Sequence, residues 1–316
     1  MRGSADQLVI TIIGPTASGK SALAIKVAEA VRGEIVTADS RQVYHYMDIG
    51  TDKPPAELQR RVRHHMIDLV DPDEAYTLAM YQDGAGQVIP EVWARGRVPI
   101  LAGGTPLYVN AVIEGWFLPR VEPDLQLRGD LEREVAEYGP DALHARLAAL
   151  DPPAAEKILP TNARRIIRAL EVIAVTGRPI SEQQGKSASP PFRNLLIGLK
   201  CERQELYRRI DDRVDREIAS GLVEEVAGLH ERGYSFDLRS MSGLGYRQIG
   251  EYLLGRATLE EARQRIKWDT HAFARHQANW FRRAHDAIWL EVTASDPAPE
   301  ALELVDRFLQ GELKEH

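Results

Sequence analysis

The segment Gly14-Pro-Thr-Ala-Ser-Gly19-Lys20-Ser21 constrains this chain more than any other stretch, because it fits G-x-x-x-x-G-K-[ST] in full. Before it runs Leu-Val-Ile-Thr-Ile-Ile at 8–13, a short, continuously apolar and β-branched stretch that reads as a buried strand. After it, SALAIKVAEAV has the pattern of an amphipathic helix. Strand, Gly-rich turn and helix in that order make a phosphate cradle. The glycines let backbone N–H groups wrap around phosphate oxygens. The helix N-terminus adds a favourable dipole. Lys20 brings a cation to the phosphates, and the Ser21 hydroxyl is placed to ligate Mg²⁺.

Two further strand patterns, GEIVTAD and RVPILAGG, alternate with helical ones. That alternation predicts an α/β fold, a P-loop NTPase-like core with a parallel sheet flanked by helices. The character changes near Pro119. Residues 119–190 carry helical patterns (RGDLEREVAEYG, DALHARLAAL, TNARRIIRALEVIAVTG) between the Pro/Gly-rich boundaries LPRVEP and GKSASPP, and NLLIGLK then reads as a strand returning to the sheet. The expected organisation is a core of residues 1–118 and 191–316 with an inserted helical domain at 119–190.

The last third reads as helical. Leu206, Ile210, Val214, Ile218, Leu222, Val226 and Leu229 recur at helical spacing. Thr258 with Glu261 forms a capping-box pattern that opens another long helix. On it Ile266, Phe273 and Trp280 are expected on one face, with Arg263, Lys267, His271, Arg275 and Arg282 beside them.

Composition excludes several classes. There is no run of eighteen apolar residues to span a membrane. The start, MRGSADQLVI, lacks the apolar stretch of a secretory signal. The single cysteine, Cys201, allows no internal disulfide and no multi-cysteine zinc site, so a cytoplasmic location is expected. His64 and His65 are adjacent on a strand pattern and point to opposite faces, which does not suit one metal ion. A net charge of −7 opposes a nucleic-acid partner only in total, since three arginines and no acid lie between Thr161 and Arg168. Another local excess, six Lys/Arg against three Asp/Glu, runs from Glu261 to Leu290.

The phosphate motif does not specify its ligand. Nucleotide-hydrolysing enzymes usually hold Mg²⁺ with a second acid at the end of another apolar strand. Here RVPILA ends in Gly103-Gly104-Thr105, without a carboxylate, and GEIVTA ends in Asp39, within ADSRQVY. This favours a loop that grips a departing diphosphate over one that serves a moving phosphoryl group.

Taken together, an ordered set of segments resembles the tRNA dimethylallyltransferase (tRNA isopentenyltransferase) family over nearly the whole chain. The set is GPTASGKS at 14–21, ADSRQVY at 38–44, MDIGTDKP at 47–54, HHMIDLVDPDE at 64–74, GGTPLY at 103–108, NARRIIRALEV at 162–172, SGLGYRQ at 242–248 and ARHQANWFRR at 274–283. The resemblance implies a P-loop core with a helical insertion, Mg²⁺, dimethylallyl diphosphate, and the adenosine at tRNA position 37 beside the anticodon as acceptor. Asp39 matches the family's base, and Thr105 matches the donor to the oxygen that links allyl group and phosphate. Gly14, Thr16, Ala17, Ser18, Gly19, Lys20, Ser21 and Arg213 match the diphosphate-binding set, with Ser21 on the metal. Asp39, Ser40, Arg41, Gln42, Arg164, Arg165, Arg168 and Arg247 match segments that contact the anticodon stem-loop. The C-terminal helix departs from the family's T-R-x-Y-A-[KR]-R-Q-x-T-W-[FL]-R pattern at His271, Phe273, His276 and Asn279, while Arg275, Gln277, Trp280 and Arg282 remain.

The chemistry is consistent with these assignments. An exocyclic adenine amine needs a base as it attacks, and the leaving diphosphate needs its charge neutralised. Arginine grips phosphate or stacks on a splayed base, and the face Arg263–Lys267–His271–Arg275 is a candidate extension of that footprint. Three other readings stay open on the residues alone: a small-molecule or nucleoside kinase, an RNA-binding module whose loop senses nucleotide, and transfer to free AMP. No protein partner and no membrane are implied.

Overall fold

The computed structural model describes residues 7–187 and 192–313. The first six residues of MRGSADQLVI and the ASPP end of GKSASPP lie outside the described residues. The chain divides into two compact units, Met1–Ile113 with Phe192–His316, and Glu114–Pro191.

The first unit opens with β1 (Leu8–Ile13), α1 (Lys20–Val31), β2 (Gly33–Thr37), α2 (Ala56–Arg61), β3 (His64–His65), α3 (Leu78–Ala94), β4 (Val98–Gly103) and α4 (Pro106–Ile113). The second unit follows with β5 (Trp116–Phe117), α5 (Leu125–Tyr138), α6 (Pro140–Leu150), α7 (Pro152–Lys157), α8 (Ala163–Thr176), α9 (Ile180–Gln183) and β6 (Gly185–Lys186). The chain then returns to the first unit through β7 (Arg193–Lys200), α10 (Arg203–Ala219), α11 (Leu222–Glu231), α12 (Tyr246–Leu253), α13 (Leu259–Phe281), β8 (Ile288–Glu291) and α14 (Ala298–Leu309).

Six of these strands form one sheet in the order β3-β2-β4-β1-β7-β8. Every pairing within it is parallel. Helices cover both faces, so the strands read as continuous apolar runs rather than alternating ones. In β1, Val9, Ile10, Ile12 and Ile13 are all buried, and the Thr11 hydroxyl is satisfied by donating to Asn194 Oδ1 at 2.6 Å. In such a sheet the ligand crevice lies beyond the carboxyl ends of the strands. There β1 leads into the phosphate loop, β2 into Asp39 and β4 into Thr105. The ends of β2 and β4 approach so closely that a Cβ on Gly103 would lie 2.0 Å from the Ala38 carbonyl oxygen, so only glycine fits.

The structure departs from the sequence expectation in three places. First, the apolar series from Leu206 to Leu229 is two helices, broken at Gly221 with φ 103°. Second, the last third is not wholly helical, because Ile288–Glu291 adds a sixth strand beside β7 with Leu290 buried. Third, α13 buries Ala262, Ile266, Thr270, Ala274, Gln277 and Phe281, whereas Phe273 is exposed and Trp280 half-buried. Strict seven-residue spacing drifts around an α-helix, and the buried seam follows steps of four and three instead. The Thr258–Glu261 capping box forms as expected.

The second unit is a helical cluster around Leu131, Leu143, Leu147, Ile166 and Leu170, with the short antiparallel pair β5–β6 where the chain enters and leaves it. Glu171 is fully buried here. Arg128 bonds it at 2.7 Å and Arg168 at 2.5 Å.

Candidate active site

The phosphate loop takes its shape from backbone sign changes. Ala17 (φ 60°) and Gly19 (φ 91°) are left-handed, and α1 begins at Lys20. Successive N–H groups in such a turn form a concave anion nest. Lys20 donates from Nζ to the Pro15 carbonyl at 2.7 Å. Burial lowers its pKa to about 8, with the nearby Asp39 carboxylate opposing that shift.

A cavity of about 750 Å³ lies over this loop, and Thr16, Lys20, Ser21, Asp39, Thr105 and Arg213 are among the residues that line it. Ala17 and Gly19 also face it, while Gly14 and Ser18 stand outside its lining. Gly14 is backed by the Leu199 carbonyl, which a Cβ would approach to 2.9 Å. Ser18 is buried with its hydroxyl unbonded.

Asp39 and Thr105 are brought together. Asp39 Oδ1 accepts the amides of Arg41 at 2.8 Å and Gln42 at 3.4 Å, so the carboxylate anchors a turn and also lines the cavity. Thr105 Oγ1 accepts the Ser40 amide at 3.0 Å, and its hydroxyl donates to Ser40 Oγ in a long bond of 3.4 Å.

Arg213 reaches the loop from α10. Its Nη1 donates to Thr16 Oγ1 at 3.1 Å, and the guanidinium is held by Glu217 at 2.6 Å and Asp52 at 3.1 Å. Burial raises the Glu217 carboxyl even with Arg213 beside it.

The expected RNA-contacting residues fall into distinct groups. Ser40, Arg41 and Gln42 line the cavity. Arg41 donates to the carbonyls of Arg239 at 2.8 Å and Ser240 at 3.1 Å, and Gln42 to those of Thr51 at 3.0 Å and Asp52 at 3.1 Å. These two side chains therefore brace neighbouring loops. Arg247 is not in the cavity lining and pairs with Asp269 at 2.8 Å. In the second unit, Arg164 and Arg165 are exposed, whereas Arg168 is committed to Glu171 and to the Val121 carbonyl.

The proposed basic face of α13 is largely neutralised. Arg263 and Lys267 each bond Asp215 at 2.7 Å, and His271 lies 2.9 Å from Asp211. Asp211 and Asp215 are four residues apart on α10, so they form one acidic stripe against the basic one. Arg275 differs, donating to the Tyr207 hydroxyl at 2.7 Å. His64 and His65 also separate: His64 bonds the Val62 carbonyl at 2.8 Å and lines the cavity, while His65 bonds Glu34 at 2.7 Å.

Sequence reasoning did not single out Asp52, Glu217, Phe273 or Gln277 as cavity residues, although all four line it. Asp52 and Gln277 lie inside segments that carried the resemblance, but nothing in one sequence says which side chain of a segment points inward.

Among the described residues no cluster of three or more His, Cys, Asp or Glu could hold a metal. The exposed Ser21 hydroxyl is a hard oxygen donor on this cavity. It suits Mg²⁺, which takes few protein ligands and completes its shell with water and substrate phosphate. No described helix is long and apolar enough to cross a membrane.

The IPP transferase family model matches residues 42–284, and the isopentenyl transferase model matches residues 7–71. A tRNA dimethylallyltransferase of Thermomicrobium roseum is 51% identical over 307 residues, covering 97% of this chain and 93% of its own. One from a Roseiflexus species is 54% identical over 303 residues, covering 96% and 99%. The crystal structure of the tRNA isopentenylpyrophosphate transferase of Bacillus halodurans superposes with a TM-score of 0.71 at 40% identity, covering 97% of this chain and 96% of that one. A eukaryotic dimethylallyltransferase acting on tRNA gives a TM-score of 0.83 at 26% identity, covering 98% and 81%.

Proposed function

The chain belongs to the IPP transferase family, the tRNA dimethylallyltransferases, and from that premise we infer how its own residues carry a dimethylallyl group from dimethylallyl diphosphate to the exocyclic amine of adenosine 37 in tRNA. The observation that carries the reading is the Ser40–Thr105 hydrogen bond at 3.0 Å. It joins the strand ends bearing Asp39 and Thr105 on the cavity that the phosphate loop also lines.

The diphosphate sits in the phosphate loop after Thr16, whose amide is taken by Gln277, with Lys20 and Arg213 on its oxygens. Thr105 accepts the Ser40 amide through a lone pair, and its own proton, donated to Ser40 Oγ at 3.4 Å, turns to the oxygen between the allyl carbon and phosphorus. The adenine amine attacks the allylic carbon. A C–N bond forms as the C–O bond breaks, the bonding pair leaves with the diphosphate, and the amine proton passes to Asp39. Oriented dipoles and cations at the leaving oxygen lower the barrier because they need no rearrangement as charge develops. Mg²⁺ held by the Ser21 hydroxyl and diphosphate oxygens would supply further charge neutralisation.

Residues 1–118 and 191–316 act as the catalytic core, and 119–190 as the inserted tRNA-contacting domain. Exposed Arg164 and Arg165 meet RNA phosphate, as do Arg168 and Arg247 to the extent that their ion pairs with Glu171 and Asp269 open. Ser40, Arg41 and Gln42 frame the pocket for the extruded base. The protein works in the cytoplasm, where its tRNA substrate is.

The test is mass spectrometry of nucleosides from tRNA incubated with the protein, dimethylallyl diphosphate and Mg²⁺. Dimethylallyl adenosine at position 37, absent when any component is omitted, is the expected result. ATP-dependent phosphorylation of an acceptor without alkylated adenosine would overturn the reading.

A further inference from the structure

Gln277 makes two hydrogen bonds that no role in the transfer has yet explained. The residue sits on α13, is 5% exposed, and lines the cavity. Its Oε1 accepts the Thr16 amide at 2.8 Å, and its Nε2 donates to the Gly104 carbonyl at 2.6 Å. The two partners fix the orientation of the amide, because a flip would set donor against donor and oxygen against oxygen.

These partners lie in different loops. Thr16 belongs to the phosphate loop after β1, and Gly104 immediately precedes Thr105 after β4. One side chain therefore spans from the diphosphate cradle to the loop bearing the leaving-group donor. Gly104 supplies an independent sign of the same fit: a Cβ there would lie 2.6 Å from Gln277 Nε2. Position 104 carries no side chain where the glutamine amide needs the room. The Gln42 side chain, by contrast, donates to the Thr51 and Asp52 carbonyls and does not bridge the phosphate loop to the Thr105 loop.

We propose that Gln277 is a positioning residue that sets the separation between the phosphate loop and Thr105, so that the Thr105 proton meets the allyl–phosphate oxygen of a diphosphate held in the loop. The inference rests on the transferase reading above. In-line breaking of the C–O bond needs the loop amides and the Thr105 hydroxyl to act on the same diphosphate together. A misplacement of about 1 Å at such a centre costs on the order of 10²-fold in rate. Gln277 touches neither reacting atom, so it acts through Thr16 and Gly104.

Gln277→Met keeps an unbranched side chain of similar length and removes both hydrogen bonds. Single-turnover transfer should fall roughly 10- to 100-fold, while tRNA Kd and Tm stay close to those of the wild type. Gly104→Ala leaves Gln277 in place but pushes on its amide, and should lower the rate in the same way. It also carries the test should the Met variant fail to fold. In a Gln277→Ala background the added methyl has space, so Gly104→Ala should cause little further loss. A wild-type rate in Gln277→Met beside an active wild type, or losses at 104 and 277 that simply multiply, overturns the inference alone. A wild type that alkylates no adenosine overturns the transferase reading and this inference with it.

Discussion

Thr105 Oγ1 accepts the amide of Ser40 at 3.0 Å, one residue beyond Asp39. The bond holds the ends of β2 and β4 in register just past Gly103, where the two strands already touch. It also directs the chemistry: an oxygen that accepts from an amide keeps its proton for another acceptor, which is Ser40 Oγ at 3.4 Å until a leaving oxygen takes that place. The base and the leaving-group donor are thus built as one unit.

Thr105→Ser should retain most activity, because the hydroxyl keeps both its accepting and donating roles. Thr105→Val matches the shape but removes the donor and leaves the Ser40 amide without its partner. Its single-turnover rate should fall by about 10²–10³-fold, the scale for losing one donor to a developing oxyanion. Equal rates for the two variants would remove Thr105 from the mechanism.

Lys20 is lowered to about 8 by burial, with Asp39 opposing the shift. The free enzyme therefore holds its ammonium below that pH and loses it above. Because kcat/KM reports groups of the free enzyme, kcat/KM for dimethylallyl diphosphate should show a basic limb, falling as pH rises through about 8. Lys20→Ala should have a far lower kcat/KM and lack that basic limb. Persistence of the limb in the variant would assign it to another group.

In the second unit, burial alone would raise the Glu171 carboxyl, and hydrogen bonds from Arg128 and Arg168 outweigh it and hold it below its usual value. A carboxyl depressed in the folded state stabilises fully above its unfolded value and loses that contribution as pH falls through the folded one. Arg168→Ala should lower stability at neutral pH by roughly 1–3 kcal/mol, the scale for a lost charged hydrogen bond. It should also narrow the stability difference between neutral and acid pH. Denaturant melts at both pH values measure this, and an unchanged midpoint would show that Arg128 suffices.

Arg164 and Arg165 carry the RNA contact with less structural burden, since both are exposed. The double Ala variant should weaken tRNA binding and reduce the slope of log Kd against log salt by about one for each RNA phosphate that the two arginines neutralise. Tm should not change. Unaltered affinity and slope would assign this helix face to solvent.

Contiguous features were legible in the sequence. The phosphate loop, the strand before it and the helix after it, and the Thr258–Glu261 cap are local, and each is fixed by neighbours within a few residues. Pairings across the chain were not. The basic residues Arg263 and Lys267 looked like an RNA face until α10 set Asp215 against them, 48 and 52 residues away in sequence. Arg168 looked as available as Arg165 because only packing puts Glu171 in the core. The strand Ile288–Glu291 has four residues at the sheet edge, with only Leu290 buried, too little pattern to stand out after a long helix. Gln277 was visible within a matched segment, but its bridge to Thr16 and Gly104 depends on three distant elements meeting.

The most direct test of the account is the single-turnover transfer rate of Asp39→Asn across pH. The substitution suits the site, because an asparagine Oδ1 can still accept the Arg41 and Gln42 amides that Asp39 Oδ1 accepts at 2.8 and 3.4 Å. The turn is retained and the basic oxygen is lost. If Asp39 takes the amine proton, the rate should drop by about 10²–10⁴-fold and the acidic limb of the wild-type profile should flatten. Affinities for tRNA and dimethylallyl diphosphate should change far less. Transfer at the wild-type rate throughout the pH range would contradict the account and require a base elsewhere.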